Sequence, residues 1–321
     1  MLTIRVGLSW ALLGLGFVLV AAASLAFGSA DLGAAVVWDA LRGTADPLAR
    51  SVIFDLRLPR WLAACGVGSS LAVAGVLLQT LFRNPLADPY VLGVSGGAAT
   101  GALLALLLGA GIAGSQYAAI GGALLATLLV MLLAKGPDNL RLLLSGVVVA
   151  ASCGALITLM LVAASSDQLR GMIFWLAGDL SLAASPWTSL VLAIGGAVSA
   201  TLFATPLDVM RSGELRARTL GLDTVRWRVL IITATVLLTA VAVTTAGTIG
   251  FVGLVTPHAV RLLFGTSSHR VVAPAAALAG ATLVAGADLL ARTLVAPRQL
   301  PVGAIMALVG APIFACLLRR T

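Results

Sequence analysis

Charge is scarce in this chain: Asp, Glu, Lys and Arg together make up 10% of its 321 residues, and hydrophobic residues make up 60%. Soluble domains carry roughly 25% charge, and a chain this apolar cannot hide its surface in a water-soluble fold. Lysine is scarcer still, with Lys135 the single instance, in the run Leu-Ala-Lys-Gly-Pro. A nucleotide-cradling P-loop needs Gly-Lys followed by Ser or Thr, so no such motif is present. The three cysteines, Cys65, Cys153 and Cys316, all lie inside apolar runs. That position argues against disulfides or a metal site and predicts small, buried packing residues. The six methionines and two histidines form no ladder of the kind a metal relay would use.

What the chain has in abundance is apolar runs, and its mean hydropathy is +1.10. A crossing helix needs about 20 mostly apolar residues. Punctuation by Gly, Pro and charge marks ten candidates: 6–27, 61–82, 91–109, 116–134, 140–164, 187–204, 227–248, 253–264, 271–294 and 301–318. The first exceeds a signal-peptide core, has no convincing cleavage site and reads as a span, with Arg5 at its start. The run 253–264 is too short for a full crossing unless its helix begins inside the membrane.

The net charge of +8 would suggest a polyanion partner in a soluble protein. Here the charges fall in short gaps between runs and report orientation, which excludes nucleic acid as the reading. Arg83, Lys135, Arg211, Arg216, Arg218, Arg226 and Arg270 fall on one side. Arg42, Arg50, Arg57, Arg60, Arg170, Arg292 and Arg298 fall on the other, several offset by Asp31, Asp39, Asp46, Asp55 and Asp167. Together with the terminal Arg319 and Arg320, this places both termini in the cytoplasm.

The expected fold is an all-α polytopic membrane protein forming one transmembrane domain over 1–321. Runs such as G-A-A-T-G-A and G-G-A-V-S-A let helix backbones approach closely and predict a tight bundle. Two connecting segments exceed a turn. Residues 28–56 contain A-A-V-V-W-D-A-L, whose spacing predicts a short helix on the outer face. Residues 206–226 interleave Leu207, Val209, Met210, Leu215, Leu220 and Leu222 with charges, and Gly213 and Gly221 permit two short helices. An element of this form can sit in a partner's groove and transmit a push; the plainer reading is a solvated basic loop.

Ion-coupled carriers usually display ionisable residues within their spans. Asp179, Asp288 and His258 are a thin set for a proton relay, so driving energy is expected from another protein; an ion-gradient carrier is the alternative. Pro85 and Pro89 forbid a continuous helix after the second span, so Asn84 and Asp88 read as turn-shaping residues. Asp88 and Arg261 fall near one surface and are expected to pair. His258, beside Pro257, reads as a packing residue.

Several segments resemble a known family: Arg57-Leu-Pro-Arg60, Q-T-L-F-R-N-P-L-A-D-P over 79–89 and L-G-V-S-G-G-A over 92–98. Further on come G-T-I-G-F-V-G-L-V-T-P-H over 247–258 with Arg261, L-P-V-G over 300–303, and G-A-P over 310–312. Together they resemble the permease subunits of binding-protein-dependent ABC importers, in the FecCD-type branch for iron siderophores, haem and cobalamin. The resemblance implies a ten-span, type II importer permease in a bacterial inner membrane, working as a homodimer. Its further partners would be two cytoplasmic ATPases, which hydrolyse ATP, a periplasmic substrate-binding protein and membrane lipid. This chain itself would bind no cofactor and perform no catalysis.

The resemblance also assigns residues. The stretch 208–221 matches the family's coupling helices, and the wider coupling set is Leu207, Asp208, Val209, Met210, Gly213, Glu214, Leu215, Arg218, Leu220 and Gly221. Arg57, Arg60 and Arg292 match outer-face arginines that receive acidic residues of the binding protein; a contact with lipid phosphate is the alternative for each. Asn84, Pro85, Asp88, Pro89, Pro257, His258 and Arg261 would shape a turn and gate. The third to fifth and last spans would line the pathway. The substrate would be an iron chelate, including haem, or cobalamin, with iron chelates favoured as the largest group.

Overall fold

A computed structural model describes residues 2–28, 33–136, 138–183 and 185–318. Asp31, Arg319 and Arg320, used above to read orientation, lie outside the described residues. Fifteen α-helices occur among those described: α1 Leu2–Ala26, α2 Gly33–Arg42, α3 Pro47–Ser51, α4 Leu58–Phe82, α5 Val94–Leu107, α6 Gly111–Ala134, α7 Asn139–Ala163, α8 Ser166–Ala177, α9 Pro186–Leu202, α10 Ala204–Arg211, α11 Glu214–Thr219, α12 Thr224–Ala246, α13 Val252–Phe264, α14 His269–Thr293 and α15 Val302–Leu318. Six helices are long and apolar enough to cross a membrane. The pair α9 and α10, bent by 72°, and the shorter apolar α5, α13 and α15 account for the remaining predicted runs. The end of the bundle that carries α10 and α11 is termed the inner face.

The helix α4 is the axis of the bundle. It is buried from Ala63 to Phe82 with the exception of Ser69, and α9, α12, α13 and α14 pack around it. A helix so enclosed in lipid needs small residues, because close backbone approach replaces the hydrophobic force. A methyl group on Gly68 would stand 2.1 Å from the Gly280 carbonyl oxygen of α14, and one on Gly75 would stand 2.1 Å from that of Gly253. Neither position has room for a side chain. By contrast α1 lies against the outside of the bundle, packing Trp10 edge-on to Phe264 at 5.1 Å.

The short run 253–264 is a half-helix. The chain leaves α12 at Gly247, and α13 starts beside the middle of α4, where Gly75 meets Gly253. Its 13 residues span only about 20 Å. They end at the inner face, where Arg5 of α1 donates to the Leu262 and Leu263 carbonyls at 2.7 and 3.1 Å. A basic side chain on the last carbonyls of a helix both satisfies orphan acceptors and complements the macrodipole.

Three features differ from the sequence reading. The segment 166–177 forms α8, which the apolar runs do not mark because Asp167 and Arg170 interrupt it. In the outer segment the predicted short helix over A-A-V-V-W-D-A-L forms as α2, and α3 and a π-helical turn Val52–Arg57 follow it unannounced. Cys65 and Cys153 are buried as expected, but Cys316 is exposed, since α15 presents that side of its last turns outward.

Candidate functional site

Two polar constellations stand out, one at each end of α4. At the outer end Arg57, Arg60 and Arg292 converge. The Arg57 guanidinium donates to the Leu25 and Ala26 carbonyls at 2.6 and 2.8 Å, closing the C-terminus of α1. Arg60 meets the Asp288 carboxylate at 2.8 to 3.2 Å and donates to Gln299 Oε1 at 2.9 Å. Arg292, one turn beyond Asp288, lies 3.0 Å from the same carboxylate and reaches the Ser24 carbonyl at 3.3 Å.

The three arginines are therefore not free arms on a rim. Arg57 and Arg292 are 5% and 6% exposed, and each braces the outer end of α1. Asp288 serves Arg60 and Arg292, while Arg57 turns to the α1 carbonyls; the three arginines and Asp55 line a cavity of about 340 Å³, so positive charge still exceeds negative there. Such a lining attracts a carboxylate, and guanidinium can grip one with two parallel bonds.

At the inner end the coupling candidates divide by face. Leu207 and Met210 of α10 and Ala217 of α11 are buried against the bundle, whereas Leu215 and Leu220 are 80% and 63% exposed. Gly213, which separates the two helices, has φ +114. A side chain there would be strained, so glycine sets the bend. Glu214 and Arg218 pair at 2.6 Å across one turn, and Gly221 closes α11 through its N–H to the Arg218 carbonyl at 2.9 Å. Val209 is half-buried.

Asp208 fixes this element to the core. Its carboxylate accepts from Ser268 Oγ at 3.2 Å and from the His269 N–H at 3.1 Å, and meets His269 Nδ1 at 2.5 Å. The other ring nitrogen of His269 lies 2.7 Å from Thr80 Oγ1 on α4. A continuous polar chain thus runs from the partly exposed Asp208 on α10 through the start of α14 into the axial helix, buried at His269 and Thr80. Nothing in the composition or local motif around His269 announces it, because its partners stand 61 and 189 residues away.

The turn and gate residues assemble around the half-helix. Pro257 lacks an N–H, which would leave the Gly253 carbonyl one turn earlier without its helical donor. Gln79 supplies one, its Nε2 donating at 3.0 Å, while its Oε1 accepts from Arg261 at 2.7 Å. Arg261 is thus spoken for by Gln79, and the expected pair with Asp88 is not formed. Asp88 instead accepts from the Tyr90 N–H at 2.8 Å, capping the 3₁₀ turn Pro89–Leu92. Asn84 Oδ1 accepts from the Leu86 N–H at 2.9 Å in an Asx turn ahead of it, with Pro85 inside that turn. His258 is buried.

Tyr90, to which the sequence reading assigns no role, holds the break between α12 and α13. Its hydroxyl donates to the Ile249 carbonyl at 3.0 Å and accepts from the Ile249 N–H at 2.9 Å, serving both groups of an unwound residue. Buried backbone polar groups in lipid must find such partners. The same break touches two others: the Asp179 N–H bonds the Ala246 carbonyl at 2.8 Å, and the Val302 N–H bonds the Gly178 carbonyl at 2.9 Å. Three interruptions of helix therefore meet at one place.

The carboxylates raised for ion coupling are engaged in architecture. Asp288 is shared by two arginines, and Asp179 caps a 3₁₀ turn through the Ser181 N–H at 2.8 Å.

Comparison with known proteins agrees with this geometry. The model of the FecCD transport family matches residues 16–320. The vitamin B12 import system permease protein BtuC of Klebsiella pneumoniae is 41% identical over 276 residues, covering 84% of this chain and 82% of that protein. An ABC transporter permease protein of Bacillus subtilis, YvrB, is 39% identical over 87% of this chain and 81% of its own length. A solved ABC transporter of the metal-chelate type, in an inward-facing conformation, superposes with a TM-score of 0.85 at 31% identity, covering 98% of this chain and 99% of that one. The ten apolar helices, the bent α9 and α10 pair and the half-helix α13 are thus the type II importer permease fold. The chain belongs to the FecCD transport family and is a multi-pass membrane permease of the ABC-importer type.

Proposed function

We propose that the chain forms the transmembrane half of an importer that passes a metal chelate from an outer binding protein to the cytoplasm, driven by ATP hydrolysed in a partner. The observation that carries this reading is the hydrogen-bonded chain Asp208, His269, Thr80, which joins the α10 and α11 element to the axial helix α4. A push received on the exposed Leu215 and Leu220 would travel through it as a rigid-body displacement rather than dissipate in a loop. Two copies of the chain, two ATPases and one binding protein complete the assembly, in a bacterial inner membrane with both termini on the ATPase side.

A corrinoid is the first candidate substrate, because several of the relatives are named as vitamin B12 import permeases at 38–41% identity; iron chelates are the second. The Asp288 cluster would receive carboxylates of the binding protein, where rim charge chiefly speeds and orients docking. The test is transport by proteoliposomes holding the permease, its ATPase and its binding protein. Uptake should need all three and ATP. Uptake driven by an ion gradient without the ATPase would overturn the reading.

A further inference from the structure

We propose that the inner-face cavity between α4, α6, α7 and α12 binds an anionic phospholipid, with its phosphate held by Arg83, Arg218 and Arg228. The cavity is about 390 Å³, and α10 and α11 form one wall of it. This inference stands without the importer reading, since it rests on the chemistry of the cavity alone.

The walls are graded from apolar to cationic. Leu81, Leu142 and Ile232, each no more than 6% exposed, form an apolar floor. Three arginines face Glu214, and Asp138 lies near enough to act on Arg228, so positive charge remains in excess. Arg228 and Arg218 are held in place rather than waving: Arg228 donates to Asn139 Oδ1 at 2.8 Å, and Arg218 donates to Thr224 Oγ1 at 3.1 Å. Arg83 ends α4 in a left-handed conformation with φ 51, and its guanidinium reaches to 3.2 Å from where a Gly213 side chain would begin. No carboxylate pairs with Arg83 among the described residues.

The opening is lateral. Met131, Val225 and Val229 line the cavity and are 39%, 62% and 55% exposed, so it opens sideways between α6 and α12, at the inner-face end of these two spans. Guanidinium groups bind phosphate oxygens in a bidentate fork, and basic pockets between membrane helices on the cytoplasmic side suit acidic headgroups. A soluble phosphate would satisfy the arginines but leave the apolar floor unused. A lipid fills both. Its phosphate would bridge the end of α4 to the wall formed by Met210, Glu214 and Arg218, so that membrane composition bears directly on the coupling element.

The experiment is native mass spectrometry of the full-length permease released from nanodiscs that contain phosphatidylglycerol and phosphatidylcholine in equal amounts. The wild type should retain phosphatidylglycerol in preference. Arg83→Gln with Arg218→Gln should lower that preference roughly fivefold for each arginine, the factor for about 1 kcal/mol per basic side chain at an acidic surface. Arg83→Lys with Arg218→Lys should keep part of it, and unchanged phosphatidylcholine retention with a monodisperse elution shows that the variants are folded. Equal retention of the two lipids by the wild type, or undiminished preference in the Gln variant, would overturn the proposal. So would full displacement of phosphatidylglycerol by millimolar inorganic phosphate, which would identify an anion site without a tail.

Discussion

Asp288 is 1% exposed and stands between two guanidinium groups, a placement that sets a large penalty on its removal. Breaking a buried ion pair from one side strands the other charge and costs about 3–5 kcal/mol. Asp288→Asn should therefore destabilise the protein by that order, and adding Arg60→Gln should recover part of the loss, as thermal unfolding of the purified protein would show. Gln79 allows a similar dissection. Gln79→Leu leaves the Gly253 carbonyl and the Arg261 guanidinium without a partner, at roughly 1–3 kcal/mol for a buried group. Pro257→Ala in the same background returns an N–H to α13 and should restore stability in part, a non-additivity that a double-mutant cycle measures. At this scale the sequence is legible only where chemistry is local. Pro257 announces a missing donor, but its remedy lies 174 residues from the affected carbonyl, and the roles of Tyr90 and His269 have no local sign at all.

Elements were more legible, because an apolar run of about 20 residues has one use. The ten runs all became helices, with ends moved by a few residues. The 12 residues of α8 stayed hidden because Asp167 and Arg170 interrupt the apolar run, although the Ser165 and Gln168 capping box was a local sign of its start. The coupling element was readable as amphipathic, yet which leucines face out could not be read, since 207 and 215 differ only in what packs above them. Its two faces now give separable expectations. Leu215→Asp changes an exposed side chain, so stability should move by no more than about 0.5 kcal/mol, while co-purification of the ATPase should fall. Gly213→Ala forces a side chain to φ +114; it should bend the α10 and α11 element away and lower substrate transported per ATP hydrolysed, read in the same proteoliposomes.

For the whole molecule, the orientation of charge predicts a salt-dependent encounter. Arg57 and Arg292 brace α1 and Arg60 pairs with the buried Asp288, so reversing any of them perturbs the fold; a neutral change at Arg60 leaves Asp288 its partner Arg292. Arg60→Gln, in protein whose thermal unfolding shows it folded, should slow capture of the binding protein most at low ionic strength, where surface charges act over about 30 Å, and least in high salt. Association rates across a salt series would check it. The overall topology was legible from apolar runs and motif order; the enclosure of α4 was not, because its Gly- and Ala-rich composition says only that something packs closely. That enclosure bears on how the chain is made. The second membrane span to be synthesised finds its neighbours in α9, α12, α13 and α14, the last of which emerges some two hundred residues later. Until those helices arrive Ser70 and Gln79 must wait in the bilayer without their partners on α9 and α13, and Thr80 has only the Val76 carbonyl of its own helix, so insertion and assembly are separate events in this protein. A nascent chain stopped before α14 would leave its own axis facing lipid, and it is at that stage that a quality-control protease would find it.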